Sequence, residues 1–161
     1  MDQPVRRRRR DRWTPIANVQ CRHRDERLLC PVGGTEVFGR VPEIRQRNGT
    51  LLLPGGEIFL RYGHHLGPHR GFGFVHIWKE HVSEVGDHEA AVDVVRDTVA
   101  RALRPGTGIH YENGDRVVCF RPHAGVAVLE LRQHDRHIHY SVVTSGFNPP
   151  KAKGPRIGAL S

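Results

Sequence analysis

A chain of 161 residues suits one domain with a buried core and is short for two. Its hydrophobic fraction of 37% and aromatic fraction of 7% fall below the globular average, so part of the chain is expected as arm or tail, and no apolar run approaches the roughly 18 residues of a membrane span. The net charge of +8 is uneven: residues 1–27 hold 9 Arg against 4 acids, so the basic balance describes an arginine arm more than a uniformly basic domain.

In chain order, residues 1–34 show no sustained period and read as a basic, flexible arm. Within it, Arg6, Arg7, Arg8, Arg9 and Arg10 suit a phosphate backbone, with an affinity that falls as salt rises, and equally suit a solvated tail. An arginine-rich start also fits a secretory leader, but no apolar stretch follows, so a soluble protein not exported by that route is expected. Three cysteines, Cys21, Cys30 and Cys119, are odd in number and follow no disulfide framework. Residues 35–148 form the expected domain. Over 35–56 a β-rich extension is predicted, with a hairpin at Asn48-Gly49 between runs containing branched residues, followed by EIFLRY.

The stretch GHHLGPHRGFG, residues 63 to 73, reads as a loop and leads into the helical FVHIWKEHV. A second helix follows Gly86: Asp87 caps it, Val92, Val95, Val99, Ala102 and Leu103 recur at helical spacing, and Pro105-Gly106 stops it. Strands are predicted over 115–121, 125–132 and 137–147, the middle one apolar on both faces and therefore central. Along the last strand, strict alternation puts Tyr140, Val142 and Thr144 on one face and Ser141, Val143 and Ser145 on the other. Residues 149–161 read as a basic tail. The expected fold is α+β: short helices followed by a four-stranded antiparallel meander, with the small β-rich extension at its start.

Histidines carry the chemistry. Five of the twelve, His64, His65, His69, His76 and His81, fall within 18 residues. Imidazole titrates near neutrality, so two of them supply the base and the acid that RNA cleavage needs: one removes the 2′-hydroxyl proton and the other protonates the leaving 5′-oxygen. His76 and Glu80 share a helix face, whereas His76 and His81 point about 140° apart unless the helix ends near Glu80. The glycine-rich stretch lacks the lysine and hydroxyl of a P-loop, but its amides and the helix N-terminus suit a phosphate, which would set His69 and Arg70 at a substrate backbone. A weaker alternative is zinc on Cys21, His23 and Cys30, whose spacing matches no strong zinc pattern; otherwise no metal or cofactor is expected.

The order G-F-V-H-I-W-K-E-H, a valine-rich helix, a β-meander and Y-S-V-V-T-S, spanning about residues 57 to 147, resembles the barnase, EndoU, colicin and RelE-like ribonuclease superfamily of phages and toxins. The resemblance implies helices before a four-stranded antiparallel sheet and a metal-independent endoribonuclease in the cytoplasm of a bacterium or infected host. Its partners would be RNA and an immunity or phage structural protein, with no membrane. Carried onto this chain, His76 and His81 are the catalytic pair, and Thr144 with Ser145 matches the hydroxyl of the final strand. The basic residue of the sheet falls on Arg116, Arg121 or Arg132, and His69, Arg70 and Lys79 would hold phosphate. The competing expectation is a non-catalytic nucleic-acid-binding or phage structural accessory protein that works through its arginine arm.

Overall fold

The computed structural model describes residues 13–16, 28–31, 36–113, 116–134, 137–146 and 154–161. The arginines at 6–10, with Cys21 and His23, lie outside these residues, and of Cys30 only the backbone is described.

Strand outweighs helix, 47% against 21%. A short hairpin pairs β1 (Trp13–Ile16) with β2 (Leu28–Pro31). Next come β3 (Arg40–Val41) and then β4 (Ile44–Arg45) with β5 (Leu51–Leu53), antiparallel around Asn48-Gly49, where Gly49 takes a φ of 87°. β6 (Gly56–Phe59) leads to a second hairpin, β7 (His64–Gly67) and β8 (Arg70–Phe72), and then to α1 (Gly73–His81) and α2 (His88–Ala102). The chain continues through β9 (Gly108–Asn113), β10 (Arg116–Arg121), β11 (Gly125–His134) and β12 (His137–Gly146) to β13 (Arg156–Ala159).

The expected fold of short helices plus a four-stranded meander is incorrect. The main sheet has seven strands in the order β13, β9, β10, β11, β12, β6, β3, and β12 runs parallel to β6. The sheet curls until its outer strands nearly meet: just past β13, the Ser161 amide donates to the Arg40 carbonyl of β3 at 3.2 Å. The expectation failed because it followed local alternation, whereas the added strands join through distant pairings. Within the predicted tail, residues 156–159 instead form the outer strand β13, and the chain just after it is anchored where Leu160 exchanges backbone hydrogen bonds with Gly106 and Thr107.

One face of the sheet holds the core. Val117, Cys119, Ala127, Leu129, Tyr140 and Val142 are buried there against Val92, Val95 and Val99 of α2 and Phe74 and Ile77 of α1. Asp87 caps α2 as predicted, accepting from the Ala90 amide at 3.0 Å. Burial pushes the Cys119 thiol up to about 12, so it stays protonated and packs as a small apolar group. No helix among the described residues is long and apolar enough to cross a membrane.

The predicted loop at 63–73 is largely the β7–β8 hairpin. Its residues favour a loop by composition, but Gly67 and Gly71, at φ values of 140° and 142°, and His69 at 60° let the backbone turn tightly enough to pair. The helix α1 and strand β8 pack against β12, and with β7 they build a cleft.

Candidate active site

A cleft of about 660 Å³ opens between the β7–β8 hairpin, α1 and the sheet face opposite the main core. From the sheet it receives Arg116, Val126, Val128 and the end of β12; from the hairpin and helix it receives His69, Arg70, His76, Glu80 and His81. Segments nearly 80 residues apart in sequence thus share one concave surface.

A β-bulge aims the end of β12. Val128 pairs with Thr144 while Leu129 pairs with Val142, leaving Val143 as an extra residue. The bulge breaks the alternation read from the sequence: Tyr140 and Val142 stay in the core, but Thr144 joins Val143 at the cleft. There the Thr144 hydroxyl meets His81 Nε2 at 3.2 Å. The His81 ring lies against Gly146, where an added Cβ would stand 3.4 Å from it. Ser145 also borders the cleft, but it is 1% exposed and its hydroxyl donates to the Val126 carbonyl at 2.8 Å, so it holds β11 to β12.

His76 sits deeper, 4% exposed, with its Nδ1 3.1 Å from Nδ1 of His65 on β7. Gly71 permits this approach, since a Cβ there would stand 2.8 Å from His76 Nδ1 and overlap the His64 carbonyl. Two protonated Nδ1 atoms cannot face each other at this separation, so the contact is a hydrogen bond only while one ring offers a lone pair. Burial lowers the pKa of His76, the Glu80 carboxylate partly opposes this, and the neighbouring imidazoles add to the lowering. His81 is lowered mainly by burial as well, against the pull of Glu80. Glu80 is held below its ordinary value, chiefly because the His69 amide donates to it at 3.2 Å, and His69 Nδ1 lies 3.5 Å from the same oxygen.

The remaining expected residues divide. Arg70 and Arg116 are exposed guanidinium groups at the cleft. Lys79 turns away, its Nζ 4.1 Å above the Trp78 ring. Arg121 donates to the Pro105 carbonyl at 3.2 Å, and Arg132 lies 3.9 Å from Glu130, so of the three candidates on the sheet only Arg116 reaches the cleft. At the helix N-terminus expected to suit a phosphate, the amides of Phe74 and Val75 are already engaged, donating to the carbonyls of Arg61 and Tyr62 at 2.9 Å. Those two carbonyls replace the side-chain cap that Phe72 cannot provide.

No protein-family model, curated protein or solved structure matches this chain.

Sequence reasoning passed over two groups here. His65 was visible only as one of a cluster, and its partner emerges when the hairpin folds onto α1. Arg61 is a 3% exposed cation that donates to Ser141 at 2.7 Å, lies 3.4 Å from Glu130 and stands 3.8 Å over the Phe72 ring. It ties β8 to the sheet beneath the cleft, and nothing in its local sequence signals burial.

Proposed function

We propose that this protein is a metal-independent endoribonuclease that cleaves by histidine acid/base chemistry. The observation that carries the reading is the gathering of His76, His81, the Thr144 hydroxyl and the guanidinium groups of Arg70 and Arg116 in one cleft. His76 is buried and faces other imidazoles, which favours its neutral form, so it acts as the base. His81 is the more exposed of the two and its ring is steadied by Thr144, so it is assigned the acid. His76 removes the proton of a 2′-hydroxyl, the 2′-oxygen bonds to phosphorus, and the P–O5′ bond breaks. His81 protonates the departing 5′-oxygen. The products are a 2′,3′-cyclic phosphate and a 5′-hydroxyl, and Arg70 and Arg116 offset the charge gathering on the phosphoryl oxygens.

The resemblance of GFVHIWKEH and YSVVTS to the phage and toxin ribonucleases supports the same reading by motif alone, since the four-stranded fold it implies does not hold. It adds an immunity or phage structural protein as a partner and a bacterial or infected-host cytoplasm as the setting.

The test is purified protein with end-labelled RNA in excess EDTA. Cleavage is expected to survive the chelator and to fall roughly 10² to 10⁴-fold in His76→Ala and in His81→Ala, with circular dichroism unchanged. Intact RNA that only shifts in the gel, with the shift lost when residues 1–12 are removed, would replace the nuclease with a binding protein that acts through its arm.

A further inference from the structure

We infer that His65, His76 and Glu80 form a binding site for a zinc-class divalent ion, and that filling it clamps the β7–β8 hairpin onto α1. The three residues offer donor atoms that all lie within 4.8 Å of one another. The two imidazole nitrogens are 3.1 Å apart. In a tetrahedral zinc site with Zn–N bonds of about 2.0–2.1 Å, two ligand nitrogens stand about 3.3 Å apart, so this pair needs little movement to share an ion. His76 and Glu80 are one helical turn apart on α1, a rigid element, while His65 comes from β7. The set is therefore preformed across two elements.

Its chemistry selects the ion. Two imidazoles and one carboxylate suit zinc and its transition-metal neighbours, whereas magnesium and calcium require mostly oxygen ligands. Three protein ligands leave a fourth position for water or for His69, whose Nδ1 is 3.5 Å from Glu80 Oε1. The His69 amide that donates to Glu80 orients the carboxylate, as outer partners of metal ligands commonly do.

One consequence rests on the ribonuclease reading. An ion on His76 occupies the lone pair that the base requires, so zinc is an inhibitor and the metal-free protein is the active form.

The test titrates zinc into metal-free protein, without a histidine tag, against a chromophoric chelator, and follows thermal unfolding. One zinc per chain is expected, with a raised Tm that magnesium does not reproduce. His65→Ala and Glu80→Gln should each weaken binding at least tenfold; Glu80→Gln keeps the size and shape of the side chain, so it remains informative if His65→Ala fails to fold. Absence of stoichiometric binding would overturn the site, as would affinity unchanged in both variants, which would direct attention to Cys21, His23 and Cys30. RNA cleavage measured alongside separates the two proposals: zinc that binds as expected to a protein inert toward RNA in EDTA leaves the site standing and removes the nuclease. Cleavage in EDTA with no zinc binding does the reverse. Zinc that binds while cleavage continues unchanged overturns the inhibitory role.

Discussion

Thr144 and Ser145 are adjacent hydroxyls that the fold assigns to different work. Thr144 meets His81 Nε2 at 3.2 Å, whereas Ser145 donates to a backbone carbonyl from a buried position. Thr144→Val keeps the shape and removes the contact, so cleavage is expected to fall roughly tenfold to a hundredfold with Tm unchanged. Ser145→Ala leaves the Val126 carbonyl without its partner and is expected to cost about 1–3 kcal/mol in chemical denaturation while the intact fraction cleaves normally. The pH profile tests the two histidines together. In the proposed roles, protonating His76 removes the base on the acid side, and deprotonating His81 removes the acid on the alkaline side. Burial lowers both from 6.5, so both limbs move toward acid and the optimum of kcat/KM is expected below pH 6.5. An optimum above pH 7.5 would contradict these roles. The same shifts favour the neutral rings in the folded chain, so stability should decline as pH falls below 6.5. Much of this site was legible, because His69, Arg70, His76, Glu80 and His81 are close in sequence and histidine chemistry is specific. Thr144 was legible as a candidate only; its direction depends on the bulge at Val143, which alternation cannot reveal.

At the scale of elements, α1 stands on a crossing of backbone that only glycine permits. Gly63 has a φ of 73°, and a Cβ there would overlap the Phe72 carbonyl just before the helix. Gly63→Ala therefore combines the left-handed backbone cost of about 1–2 kcal/mol with a backbone clash. A loss of Tm is expected together with loss of cleavage, since the displaced hairpin carries His65 and Arg70; a variant with wild-type Tm would show that this crossing is looser than the structure implies. The two helices and the strands β10 to β12 were readable because their periodicity is local. The β7–β8 hairpin was hidden by composition, its pairing resting on positive φ values rather than on branched residues. The parallel contact of β6 with β12 joins residues 58 and 140, and no local pattern encodes such a pairing.

Across the whole molecule, the basic charge is divided, in the proposed reading, between binding and chemistry. The net +8 includes +5 within residues 1–27, while the cleft presents Arg70 and Arg116 in the folded body. If single-stranded RNA is held by both, each neutralised phosphate steepens the fall of affinity with salt by about 0.7 in log–log slope. Removing residues 1–12 deletes six Arg and two Asp, so the slope is expected to flatten by up to about 3 and KM to rise at physiological salt. The turnover rate at saturating RNA should not change, because none of the acid/base groups lies in that segment. Replacing Arg70 and Arg116 with Ala should have the opposite signature, a modest change in slope with a large fall in kcat, since in the proposed reaction these cations offset the charge that builds on the phosphate. If both changes moved only the slope, the cleft would be a docking surface, and the histidines lining it would have no catalytic part.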